Sequence, residues 1–457
     1  MIHEGDVIAA IATPPGTGAI GIVRISGFEA LDVLLRVFKG PFRQKEKIMS
    51  HRMYYGEIVS GGERIDEVMV CPMLAPRSYT LEDTVEIYAH GGMHVLGKVL
   101  GTVLENGARL AHPGEFTKRA FLNGRINLTE AEAVMDVITS TSDGARRAAL
   151  RQLGGGLSER VRGIRDRILS WLAHIELSID YPEHEEEAKN ARVILAESEA
   201  VLENLRGLLE TAEIGRILRE GLKTAIIGRP NVGKSTLMNA ILSEDRAIIH
   251  EQPGTTRDVL TESVRVGDVP LVIMDTAGIR DADDAVERIG VKRSLEAVRN
   301  ADLVIYVADS SVGITDEDEG ILSDIHKWGL EENLIIVLNK CDLEQVEVAT
   351  DKACIPISAK TGTGLHLLYK KIQEMFQSGG IKSASESDII TRERHRILIN
   401  DATLSLETAM LEIINNVPED LVSISLRTAY IALGEILGEE VSDDIVDRIF
   451  MEFCVGK

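Results

Sequence analysis

Up to about residue 118, short apolar runs bounded by glycine and proline recur: DVIAAIAT, GIVRISG, EVMVCPML and DTVEIYAH. Each is too short for a helix and has strand periodicity, whereas MHVLGKVLGTVLENG has helical spacing, so residues 1–118 are predicted to form an α+β domain. Over 119–220 the texture changes. Leu150, Leu153, Leu157, Val161, Ile164, Ile168, Leu172, Ile175 and Ile179 recur at spacings of three and four, predicting one face of a long helix. The run Gly154 to Gly156 weakens or kinks that helix, and Pro182 ends it. A charge run, EHEEE, then leads into a second helical stretch through Ile217 and Leu218. Over 221–378, the strand-like runs LKTAIIG, VPLVIMDTAG, LVIYVAD, NLIIVLNK and CIPISAK alternate with helical segments, the rhythm of a doubly wound parallel sheet. SGGIKSASES reads as a hinge, and 379–457 returns to helix: Leu398 to Ile414, DLVSISLRTAYIALGEIL, and a last helix with Ser442 as N-cap. Helices on both sides of the α/β segment predict a helical domain in two parts, with the α/β domain inserted as a moving part.

Composition narrows this only modestly. A length of 457 residues suits about three domains of ~150 residues, and 44% hydrophobic with 27% charged residues is an ordinary globular balance. The N-terminus has no basic segment before an apolar run, and no apolar run approaches membrane-spanning length, so a cytoplasmic protein without a membrane partner is expected. Cys71, Cys341, Cys354 and Cys454 are scattered, which gives no zinc-site spacing. A net charge of -23 restricts nucleic-acid contact to local patches. One basic cluster, RRAALRQLGGGLSERVRGIRDR (146–167), reads either as a solvated helix face or as an RNA-phosphate patch.

The chemistry lies in the α/β segment. GRPNVGKST follows a strand and opens a helix, the context a phosphate-binding loop requires. Asn231, Val232, Gly233, Lys234, Ser235 and Thr236 fall at the loop and helix N-terminus, where backbone N–H groups hold phosphates, Lys234 neutralises the β/γ oxygens and Ser235 ligates Mg²⁺. Further on, Thr256 offers a second Mg²⁺ ligand, and Asp275, Thr276, Ala277 and Gly278 form the DTAG element that senses the γ-phosphate. NKCD supplies Asn339, Lys340 and Asp342; only a base with paired donors, guanine, rewards the Asp342 carboxylate. Ser358, Ala359 and Lys360 back the base. A GTP/GDP site with Mg²⁺ follows. Ile279 stands where Ras-like enzymes carry the glutamine that orients water, so catalysis needs another source.

These elements resemble the TrmE-Era-EngA-like GTPases, which leaves ribosome assembly of the Era or Der type, RNA modification and a pure molecular switch open. The flanks carry a more specific likeness. ATPPGTGAIGIVRISG, SYTLEDTVEIYAHGG, HPGEFTKRAFLNGRINLTEAEAVMDVI and the terminal FCVGK are similar to the MnmE (TrmE) family of tRNA-modification GTPases along essentially the whole chain. The resemblance implies an α/β and α+β multidomain fold: an N-terminal tetrahydrofolate-binding and dimerisation domain, an all-α domain, and an inserted Ras-like G domain. It implies a homodimer that joins an FAD-dependent MnmG flavoprotein in a heterotetramer. Together they install an aminomethyl or carboxymethylaminomethyl group at C5 of the wobble uridine of certain tRNAs, the carbon coming from 5-formyl- or 5,10-methylene-tetrahydrofolate. Folate contacts would fall on Arg24, Glu86, Arg125 and Lys457. Cys454 is either a reactive thiol or a packing residue there. A K⁺ ion would replace the arginine finger, with Asn231 as side-chain ligand, His250 and Gln252 giving carbonyls and Thr255 nearby, and Glu287 would orient water. Two departures stand out: the family's T-G-E-D is Thr80-Leu81-Glu82-Asp83, and His250 replaces a frequent threonine.

Overall fold

In a computed structural model of the chain, residues 5–42, 44–180, 187–244, 261–267, 269–274, 298–346, 353–377 and 388–457 are described. The chain divides into two compact units: residues 1–135, 152–184 and 418–457, and residues 136–151 and 185–417.

The first unit is organised by strand alternation. Its strands are β1 (Ile8–Ile11), β2 (Ile20–Ser26), β3 (Phe38–Lys39), β4 (Tyr54–Ser60), β5 (Glu63–Met73), β6 (Thr84–His90) and β7 (Arg109–Leu110), in the sheet order β3-β4-β5-β6-β2-β1-β7. Only the β1–β7 pairing is parallel. Val23 and Ile25 of β2 and Val85 and Ile87 of β6 turn to one face, where they join Leu34 of α1 (Ala30–Val37) and Val99 of α2 (Met93–Glu105) in a buried core. Because side chains alternate, Arg24 and Glu86 turn to the other face. Two helices, α3 (Glu115–Leu122) and α4 (Leu128–Thr139), follow, and Phe116 of α3 is fully buried with Ile8 and Ala10.

The glycine run of the sequence splits the anticipated long helix into α5 (Asp143–Leu153) and α6 (Gly156–Asp180). On α6, Leu157, Val161, Ile164, Ile168, Leu172 and Ile175 are buried, and so is Trp171. Leu150, which lies on α5, and Ile179, at the last turn of α6, are exposed. Part of the basic cluster has structural work: Arg165 is buried, pairs with Glu439 and lies 4.1 Å from the Tyr430 ring centroid, while Arg146 pairs with Asp143 and Arg151 with Asp388.

In the second unit, α7 (Glu187–Glu210) and α8 (Ala212–Glu220) lead into β8 (Leu222–Ile227). Arg216 of α8 pairs with Asp302 at 2.7 Å, and Asp302 accepts the Lys223 N–H, which fixes where β8 starts. After β8 come α9 (Lys234–Glu244), β9 (Thr261–Val266), β10 (Val269–Met274), β11 (Leu303–Asp309), α10 (Asp316–Lys327), β12 (Leu334–Asn339), β13 (Cys354–Pro356) and α11 (Leu365–Gln377). The sheet order is β13-β12-β11-β8-β10-β9, parallel except for edge strand β9. Every residue of β11 is buried, as expected for a strand covered on both faces. The tail forms α12 (Glu393–Ile414), α13 (Glu419–Leu437) and α14 (Asp443–Met451). Ser442 caps α14 through its backbone carbonyl, which accepts from Ile445 and Val446; its side chain makes no cap bond. No described helix is long and apolar enough to cross a membrane.

Candidate functional site

Two clusters of predicted residues come together, one in each unit. The loop between β8 and α9 is shaped by backbone that only certain residues tolerate. Gly228 has φ +149°, and a Cβ there would meet the Val307 carbonyl at 2.2 Å. Asn231 and Gly233 take left-handed conformations, φ 62° and 97°, and a Cβ on Gly233 would lie 2.3 Å from Asn339 Nδ2. The tight loop ends at the α9 N-terminus, an anion-favouring place. Lys234 Nζ donates to the carbonyls of Gly228 at 2.9 Å and Arg229 at 2.7 Å, both neutral partners, and burial pulls its pKa down. Ser235 is half-buried and Thr236 exposed on the first turn.

Asn339 joins three loops. Its Nδ2 donates to Val232 O at 2.8 Å and its Oδ1 accepts the Ala359 N–H at 2.9 Å. Lys340, itself at φ 67°, donates to Asn231 O at 2.8 Å and to Asp309 Oδ2 at 2.6 Å. The Ser358 hydroxyl hydrogen-bonds the Asp342 carboxylate and holds its pKa below the usual aspartate range, with Lys360 contributing. Asp342 is thus exposed, ionised and oriented for a donor pair. Sequence reasoning missed Asp309, and it missed Asp318, which accepts Arg229 Nε at 2.8 Å and the Tyr306 hydroxyl at 2.6 Å and so anchors the phosphate loop to α10. His250, Gln252, Thr255, Thr256, Asp275, Thr276, Ala277, Gly278, Ile279 and Glu287 lie outside the described residues.

The second cluster lies on the sheet face opposite the α1 and α2 core, beside Phe116 of α3. Arg24 of β2 and Glu86 of β6 are register partners. Arg24 Nε and Nη2 donate to Glu86 Oε1 at 3.0 and 2.8 Å, and Nη1 donates to Gly456 O at 3.2 Å. The C-terminal tail is thereby tied into the N-terminal sheet. Gly456 has φ +96°, and a Cβ there would meet Ile11 O at 2.4 Å. Lys457 follows; burial first, and then the Arg24 charge, lower its pKa, while Glu86 and Cys454 oppose this. Cys454 is exposed, and its carbonyl accepts the Gly114 N–H. Arg125 reaches the same place through Tyr79: it donates to the carbonyls of Ser78 and Tyr79 and lies 4.9 Å from the Tyr79 ring centroid, with Arg24 5.8 Å from that centroid. Arg24, Glu86, Lys457 and Cys454 therefore form one group and Arg125 borders it. Nothing in the local sequence marks Tyr79.

A family model of the N-terminus of the GTP-binding protein TrmE matches residues 7–125, and a model of the MnmE helical domain matches residues 128–454. The tRNA modification GTPase MnmE of Ligilactobacillus salivarius is 45% identical over 464 residues, covering 99% of this chain and 98% of that one. The MnmE chain of Geobacillus thermodenitrificans is 46% identical over 465 residues, covering 99% and 100%.

The chain belongs to the MnmE family of tRNA modification GTPases.

Leu81, where the family resemblance led us to expect glycine, has a structural reading. Leu81 adopts φ 61°, the left-handed conformation a glycine takes freely. Its neighbours hold it there: the Ser26 hydroxyl lies 2.6 Å from the Thr80 hydroxyl and donates to Glu82 Oε2 at 2.9 Å, buried Arg119 pairs with Glu82 at 3.1 Å, and Asn123 Nδ2 donates to Thr80 O at 2.7 Å. The turn before Glu86 survives the substitution because this network over-determines it. Leu81→Gly should leave the thermal midpoint nearly unchanged, since relieved strain offsets lost chain stiffness and burial. Leu81→Val should cost about 1–2 kcal/mol, because a β-branched residue resists positive φ. A melting series in which valine is tolerated and glycine is not would contradict the left-handed assignment.

Proposed function

We propose that this chain is a K⁺-dependent, dimerisation-activated GTPase. As a homodimer, with an FAD-dependent MnmG flavoprotein in a heterotetramer, it adds an aminomethyl or carboxymethylaminomethyl group to C5 of the wobble uridine of certain tRNAs. The domain division goes with this reading: 1–118 for folate binding and dimerisation, 119–220 and 379–457 for the helical domain, and 221–378 for GTP. The observation that carries the proposal is the meeting of Arg24, Glu86 and the chain's last residue, Lys457, on one sheet face, in a chain that also holds the Lys234 loop and the Asp342 carboxylate.

The donor set on that face suits a tetrahydrofolate. The pterin presents adjacent donors that a carboxylate such as Glu86 accepts, and its glutamate tail carries anions that Arg125 and Lys457 attract. When bound, 5-formyl- or 5,10-methylene-tetrahydrofolate supplies the one-carbon unit. Arg24 holds the Glu86 carboxylate, the Tyr79 ring forms a wall, and the Gly456 contact keeps the tail in place. In the G domain, Lys234 and the α9 N-terminus balance phosphate charge, with Ser235 and Thr256 on Mg²⁺ and Asp275 and Gly278 at the γ-phosphate. Asn231, His250, Gln252 and Thr255 would hold K⁺, which would supply positive charge against the phosphates, and Glu287 would orient the water that Ile279 cannot. The alternative, a ribosome-assembly GTPase of the Era or Der type, predicts a KH-like RNA module or a second G domain.

GTP turnover in K⁺ against Na⁺ at equal ionic strength tests the hydrolytic half. K⁺ is expected to stimulate on the order of tenfold or more, and Glu287→Ala to remove that gain. Equal rates in the two salts would contradict the cation mechanism.

A further inference from the structure

Glu86 is held by more than Arg24. Its neighbour two residues on, Tyr88, lies on the same face of β6 and donates its hydroxyl to Glu86 Oε2 at 2.7 Å, while both Arg24 bonds go to Oε1. Each carboxylate oxygen thus has its own protein partner, and the plane of the group is fixed. The other groups facing Glu86 are Cys71, its register partner on β5, and Lys457 of the tail, with Cys454 beside that lysine. Cys71 is half-buried, and burial pushes its thiol pKa up, so it adds no charge near neutral pH.

We propose that Tyr88 is a positioning residue for the folate site: its hydroxyl keeps the Glu86 carboxylate oriented toward the donor edge of the pterin. The inference rests on the folate reading of this face. Arg24 alone grips one oxygen and leaves the carboxylate able to rotate; a second donor on the other oxygen removes that freedom, as a supporting shell does in a preorganised site. Burial, together with its bond to Glu86, pushes the Tyr88 hydroxyl up to about 12, so it remains a donor across the physiological range.

The experiment is calorimetric titration of tetrahydrofolate into the full-length chain at neutral pH, for wild type, Tyr88→Phe and Glu86→Gln. Thermal melts first establish that the variants fold. Tyr88→Phe is expected to weaken binding roughly tenfold, the worth of one hydrogen bond to a charged group. Glu86→Gln should abolish binding. If Glu86→Gln abolishes binding while Tyr88→Phe binds like wild type, the Tyr88 assignment is overturned and the folate reading stands. If the wild type fails to bind tetrahydrofolate, or Glu86→Gln binds equally well, the folate reading itself falls and the inference with it.

Discussion

Lys234→Ala is expected to lower GTP turnover on the order of a hundred- to a thousandfold, the effect of removing one preorganised charge at a developing anion. Among the described residues the lysine bonds to the carbonyls of Gly228 and Arg229, and it is partly withdrawn from water. Those partners are neutral, so its charge is left for a phosphate, and burial makes that charge felt. The loop itself should survive, because its shape is set by Gly228, Asn231 and Gly233 and by the Asn339 amide rather than by the ammonium. Single-turnover hydrolysis at saturating GTP separates the chemical step from binding. A variant that hydrolyses at the wild-type rate would show that the phosphates lie elsewhere.

The second large effect is expected at the far end of the chain. Gly456→Ala would force a side chain to within 2.4 Å of the Ile11 carbonyl at φ +96°, so the last two residues must leave their place. Lys457 and the carbonyl that holds Arg24 Nη1 would be lost to the site together. Tetrahydrofolate affinity should fall on the order of 10- to 100-fold, while GTP turnover and the melting of the nucleotide-binding unit should be unchanged. An alanine variant that binds folate normally would mean that the tail does not contribute to the site.

The nucleotide loops were legible in the sequence because their chemistry depends on local spacing. GRPNVGKST, NKCD and SAK each form a turn whose function needs few distant partners. The buried parallel strands were equally plain, as continuous apolar runs. What tertiary contact decides was not readable. The Asn339 amide spends both its ends on Val232 and Ala359, which no spacing reveals. Leu150 carried the right period for the α6 stripe but lies on a separate helix, since the glycine run resets the helical phase. Strands β4 and β9 are half-exposed or at an edge, and their mixed composition gave no clear alternation. Leu81 was noticed as an oddity, yet its left-handed backbone is imposed by buried Ser26, Thr80, Glu82 and Arg119, contributed by separate segments of the chain.

The most direct test of the account is to incubate the chain with an MnmG-type flavoprotein, unmodified tRNA, GTP, Mg²⁺, K⁺, ammonium or glycine as the amine donor, and 5,10-methylene-tetrahydrofolate carrying an isotopically labelled one-carbon unit, and to weigh the wobble nucleoside by mass spectrometry. The account predicts a labelled aminomethyl or carboxymethylaminomethyl substituent at C5 that is absent with Lys234→Ala and with Glu86→Gln. An unmodified uridine despite active GTP turnover, or a substituent without label, would contradict it.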